Sequence, residues 1–138
     1  MVKNNIKIGD VFFADIQNNG SVQGGNRPHI VLQNDFGNKC SPNVVLIPLT
    51  TVFKKSKLPT HVILPKDETG LHKDSIALCE NPITFPKNKL GKYVTSLPNY
   101  YMREIAKANT LASSSVSFLD LEDLISVYEQ AKCLVKTS

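Results

Sequence analysis

Gly20-Ser21-Val22-Gln23-Gly24-Gly25-Asn26-Arg27-Pro28 separates two strand-like runs, Val11 to Ile16 and His29 to Gln33. Aromatic and β-branched residues in both runs favour a pleated, half-buried backbone. Three glycines give the connection backbone angles that other residues reach only with strain, and Pro28 fixes where it stops. The stretch therefore reads as the loop of an antiparallel pair, ending in Arg27. The chain has two arginines against fourteen lysines, so an Arg placed here invites a reason beyond charge. A guanidinium is a planar fork that grips a phosphate in two places. By itself the loop fits either that role or a flexible hairpin with one solvated cation.

Further strand-like runs follow: Val44 to Thr50, Thr60 to Leu64, Ser75 to Glu80, Ile83 to Phe85 and Tyr93 to Thr95. Asn34 to Asn38, Ser41-Pro42-Asn43 and Asp67 to Gly70 have turn composition. Pro48 lacks a ladder donor and predicts an edge or a bulge in its strand. Short strands with breaks every eight to twelve residues indicate a small antiparallel barrel or sandwich. The pattern then becomes helical. Tyr101, Ile105, Ala108 and Ala112 share one face after Pro98-Asn99. Leu121, Leu124, Ile125, Tyr128, Ala131 and Val135 form a second stripe behind Asp120, a suitable N-cap.

The 138 residues suit one domain, and 41% hydrophobic content suits a packed core. A net charge of +4 favours a local anionic partner over a basic coat. Cys40, Cys79 and Cys133 are widely spaced, without the spacing of a disulfide framework or zinc site. Cys79 reads as a small buried hydrophobe. No stretch has the length or apolarity of a secretory signal or membrane span, so a cytosolic, reduced protein is expected.

No phosphate-binding P-loop, dinucleotide fingerprint, HExxH or nucleophile elbow is present. His29, His61 and His72 lack metal-ligand spacing, and neither metal nor cofactor is expected. Arg27, the hydroxyl pair Thr50-Thr51 at a strand end, and the loop residues Ser21 and Gln23 remain. A hydroxyl with a guanidinium suits phosphoryl chemistry run by positioning and charge stabilisation.

Several segments in one order resemble the MazF/PemK family of toxin endoribonucleases. They are Gly9 to Asp15, Gly20 to Pro28, Gln33 to Asn38, Ser41-Pro42, the strand ending at Thr50, Lys57 to Val62, and Lys73 to Ile76 with Glu80. The similarity covers about residues 7 to 118. It implies a mainly β fold with C-terminal helices, an SH3-like antiparallel barrel of the MazF/CcdB type. The barrel domain would span 1–119 with a helix near 99–112, and an additional C-terminal helix over 120–138 would pack on the same domain.

The resemblance also implies a homodimeric toxin of a toxin–antitoxin module that cuts single-stranded mRNA at short sequences without a metal. A MazE-like antitoxin would occupy the RNA groove. Catalysis maps to Arg27 and Thr50. RNA contacts map to Ser21, Gln23, Thr51, Lys57, His61, Glu80 and Asn81. The implied chemistry is attack by the RNA's own 2′-OH, leaving a 2′,3′-cyclic phosphate and a 5′-OH. A guanidinium is a poor base, so Arg27 suits a clamp or acid. His61 is open to a catalytic or a structural role, and no base is assigned.

The sequence departs from the family at Asn81-Pro82-Ile83-Thr84, where many relatives carry Gln and then Arg, so the recognised RNA sequence is expected to differ. Two competitors share the barrel. A gyrase poison resembling CcdB would lack the loop Arg, and a non-catalytic nucleic-acid binder would show aromatic stacking on a basic face. Aromatics are only 7% of this chain and fall within strand and helix patterns.

Overall fold

A computed structural model describes residues 5–17, 25–53 and 58–137. Among them, seven strands precede two long helices. β1 (Asp10–Ile16) pairs antiparallel with β2 (Gly25–Val31), and β2 with β3 (Asn43–Thr50). β4 (His61–Leu64) pairs with β5 (Ser75–Leu78), which joins the end of β3. β6 (Ile83–Pro86) flanks the start of β3, and β7 (Tyr93–Ser96) flanks β1. The sheet order is β4-β5-β3-β2-β1-β7, with β6 off that path. The expected barrel is thus a curled antiparallel sheet.

A short helix, α2 (Lys66–Thr69), bridges toward the far side of the curl: Thr95 Oγ1 on β7 donates to Thr69 O at 3.0 Å. Gly70 ends α2 with φ of 79°, and a Cβ there would lie 2.6 Å from Thr95 Oγ1, so both conformation and space require glycine.

Pro48 is not on an edge. β3 has β2 along one side, while its other flank passes from β6 (Asn43 to Leu46) to β5 (Leu49 and Thr50). Leu32 N–H donates to Val45 O, so alternation turns the backbone of Pro48 away from β2. The missing N–H therefore falls at the changeover, where no ladder partner waits for it.

Two further expectations change. Asn34 to Asn38 forms a short helix, α1 (Asp35–Cys40), because Asn34 Oδ1 accepts from Gly37 N–H at 2.9 Å and caps it. β2 begins at Gly25 and ends at Val31, so Arg27 is a strand residue rather than a loop residue.

Alternation along the strands builds two cores. Val11, Ile30, Ile47, Leu49, Leu64 and Ala77 face α3 (Asn99–Ser113), which inserts Tyr101, Ile105 and Ala108. The other face carries Phe12, Ala14, Val31, Val44 and Leu46. Ile105 is 0% exposed, so Ile105→Ala leaves a cavity and is expected to destabilise the fold by about 2–5 kcal/mol in urea unfolding. Cys79 is also 0% exposed, and burial, followed by the Glu80 charge, pushes its thiol up to about 12. It is a packing residue without thiolate chemistry.

α4 (Leu121–Thr137) starts at a reciprocal cap: Asp123 N–H donates to Asp120 Oδ1 at 2.9 Å, and Asp120 N–H to Asp123 Oδ2 at 3.2 Å. Its neighbour in the fold is α1, and residues 121–135 are all exposed. Among the described residues, no helix is long and apolar enough to cross a membrane.

Candidate active site

The register of the central strands assembles the site. β2 and β3 pair Val31 with Leu46, Ile30 with Ile47 and His29 with Pro48. Arg27 stands two residues before His29 on β2, and Thr50 two residues after Pro48 on β3, so each keeps the face of that last pair. Pro28 has no N–H to donate, which explains why the paired register stops at His29. Residues level with each other on antiparallel strands project to the same face. Arg27 and Thr50, some twenty residues apart in the chain, therefore share one face at one end of the sheet. Thr50 also pairs with Ile76 of β5, which fixes its position from the other side.

Thr50 is 5% exposed. Its Oγ1 accepts from Val52 N–H at 3.2 Å, which leaves the hydroxyl hydrogen to donate. Arg27 is half-buried and pairs with Ala14 of β1. Thr51 is exposed beside Thr50 and borders a cavity of about 270 Å³ at the same end of the curl, with Phe13, Pro28, His72, Lys73 and Ser75 among its walls.

His29 supports Arg27 from below. It is 1% exposed, and its Nδ1 lies 2.8 Å from Arg27 O. A carbonyl can only accept, so Nδ1 carries the hydrogen. Burial holds the His29 imidazole below its ordinary value of 6.5; the bond to the Arg27 carbonyl opposes this shift and the Arg27 charge adds to it. Native His29 thus binds its proton less tightly than unfolded His29. Stability is expected to be intact above pH 6.5 and to fall as pH drops below it, by at most about 1.4 kcal/mol per pH unit for one proton. The fall continues until native His29 is itself protonated. Thermal melts across this range check it, with His29→Gln expected to flatten that part of the slope. In the sequence His29 appears only as the start of a strand and as a histidine without metal-ligand spacing. The signal was the Arg27-Pro28-His29 spacing, since residues two apart on a strand share a face.

His61, Glu80 and Asn81 lie around the β4–β5 junction. His61 Nε2 lies 3.0 Å from Glu80 Oε2, and Thr60 Oγ1 donates to Glu80 Oε1 at 3.1 Å. Leu58 N–H points at His61 Nδ1 at 3.4 Å. The carboxylate requires hydrogen on Nε2, and the amide requires a lone pair on Nδ1. Both ring nitrogens are committed in this arrangement, so His61 clasps β4 to Glu80 and has no lone pair left for a base. Asn81 is exposed, and its N–H donates to Leu78 O at 3.0 Å. Ser21, Gln23 and Lys57 lie outside the described residues. Among the described residues, no cluster of three or more His, Cys, Asp or Glu could hold a metal ion.

Residues 7–112 match the family model described as the PemK-like, MazF-like toxin of type II toxin–antitoxin systems. The chain belongs to this family. It is similar to Endoribonuclease MazF of Staphylococcus saprophyticus, 44% identical over 72% of this chain and 84% of that protein. Endoribonuclease EndoA of Bacillus subtilis is 38% identical over 82% of this chain and 98% of that protein. The fold is likewise that of solved MazF structures. MazF from Deinococcus radiodurans superposes with a TM-score of 0.68 at 18% identity, covering 81% of this chain and 99% of its own. An endoribonuclease from a mycobacterial species, in complex with its cognate antitoxin, gives 0.64 at 24% identity, covering 80% and 96%. α4 lies beyond the residues that the MazF-like model matches.

Proposed function

We propose that this MazF-like toxin cleaves single-stranded RNA at a short recognition sequence, with Arg27 and Thr50 as the catalytic pair and without a metal ion. The chain is an endoribonuclease of a toxin–antitoxin module, as its family membership establishes. The observation that carries the residue assignment is the shared face of Arg27 and Thr50, each two residues on from the paired His29 and Pro48.

In the proposed step, the 2′-oxygen attacks the adjacent phosphorus while the bond from phosphorus to the 5′-oxygen breaks. The 2′-proton leaves to a base, and the departing oxygen takes up a proton. The products are a 2′,3′-cyclic phosphate and a 5′-OH. Arg27 holds the charge that builds on the non-bridging oxygens, an interaction that strengthens in the transition state. Thr50 donates its hydroxyl hydrogen to the phosphate and fixes its orientation for in-line attack. RNA contacts are assigned to Ser21, Gln23, Thr51, Lys57, His61, Glu80 and Asn81. The clasped His61–Glu80 pair offers RNA a fixed polar edge.

The natural setting we propose is a cytoplasmic homodimer restrained by a MazE-like antitoxin that covers the RNA groove. The gyrase-binding alternative has no observation in its favour here. Incubation of the purified chain with long single-stranded RNA in excess EDTA, followed by mapping of cut sites and ends, tests the reading. Cuts at one short motif with cyclic-phosphate and 5′-OH ends are expected. Absence of cuts beside an active relative, or cuts that require added metal, overturns it.

A further inference from the structure

α4 exposes more apolar surface than a solvated helix requires. Leu121 is 72% exposed, Leu124 37%, Ile125 50% and Tyr128 62%. Leu121, Leu124, Tyr128 and Ala131 recur at spacings of three and four, the seam of a two-helix coiled coil. Glu122 and Lys132 fall along one flank of that seam. Lys132 Nζ lies 5.3 Å from the centre of the Tyr128 ring, which places this cation beside the stripe. The reciprocal cap between Asp120 and Asp123 starts the helix through local bonds.

We propose that α4 is a self-association helix, and that its partner is α4 of a second copy of this chain, running antiparallel. Charge and size complementarity choose this occupant. With the two-fold axis level with Ser126, Leu121 of one copy meets Ala131 of the other, a large residue against a small one, and Leu124 meets Tyr128. Glu122 then lies nearly level with Lys132 of the second copy, on the same flank, and symmetry makes the pair twice. A parallel pair would instead bring the two acidic first turns, each with Glu122 and Asp123, to the same end and leave Lys132 away from them. The seam covers about two heptads, so α4 pairing is weak for helices alone and acts together with the rest of the chain.

The test uses the full chain with Cys40→Ser and Cys133→Ser, and adds Leu121→Cys and Ala131→Cys singly and together. Both added thiols replace exposed side chains, and RNA cleavage at the wild-type rate confirms that each variant is folded. Within one helix these positions are about 15 Å apart, beyond the roughly 7 Å between Cα atoms that a disulfide spans. Any bond between them is therefore intermolecular. The double variant is expected to form covalent dimers under mild oxidation, and either single variant several-fold fewer. Glu122→Lys should lower that yield about threefold or more, and adding Lys132→Glu should restore it. No covalent dimer from the double variant, equal yield from Leu121→Cys alone, or no rescue by the charge swap overturns the proposal.

Discussion

Arg27→Ala is expected to lower the rate of RNA cleavage on the order of 10³-fold or more, with little change in RNA affinity. The reason is the timing of the charge. A bound phosphodiester carries one negative charge, and attack by the 2′-oxygen concentrates further charge on the non-bridging oxygens. A guanidinium held in place gains interaction as that charge grows, so its loss falls on kcat more than on KM. Arg27→Lys is expected to recover little, because an ammonium keeps the charge but not the two-pronged geometry. The backbone of Arg27 is paired with Ala14 and is untouched by either substitution, so the melting temperature should move only modestly. Single-turnover cleavage of one RNA, beside melts of the same preparations, separates the two effects. A variant that stays folded and cuts at the wild-type rate removes Arg27 from the mechanism.

Arg27 stands out in the sequence because of its neighbours. A Gly-rich loop closed by Arg-Pro is unusual in a chain that otherwise relies on lysine, and alternating apolar runs gave the strand positions to within a few residues. What the sequence hid was partnership. Arg27 and Thr50 are brought to one face by a register that depends on how Ile30, Ile47, Val31 and Leu46 pair, and no local pattern encodes that. The same limit concealed the role of Pro48. Its missing donor marks either an edge or a change of partner, and only the assembled sheet distinguishes them. His29 looked like an ordinary strand histidine until burial and its contact with the Arg27 carbonyl were on view. His61 was open between catalysis and structure; its two committed nitrogens depend on Glu80, nineteen residues away. The short helix α1 was misread because Asn34 suits a turn and a helix cap equally, and its side chain decides for the cap only once Gly37 N–H is in reach. α4, by contrast, was legible throughout, since its cap and its period are both local.

Replacing the single 2′-hydroxyl at the cut site by hydrogen is expected to abolish cleavage there entirely while leaving binding nearly unchanged. The effect exceeds that of any side-chain substitution because it removes the nucleophile itself. In the proposed step Arg27 and Thr50 only stabilise and orient, so neither replaces the lost oxygen. Thr50 Oγ1 is already turned toward Val52 N–H, and His61 has no lone pair left to activate it or a water. If water were the nucleophile, the 2′-deoxy substitution would slow the reaction modestly, and the ends would be a linear phosphate and a hydroxyl. A cut RNA oligonucleotide carrying one deoxynucleotide at the mapped site, analysed by mass spectrometry, distinguishes the two chemistries. Retained cleavage at the deoxy position sets aside internal attack and would require a base and a bound water to be found near Arg27. DNA of the same sequence, lacking that oxygen at every step, should remain uncut and, without any 2′-OH contacts, bind weakly.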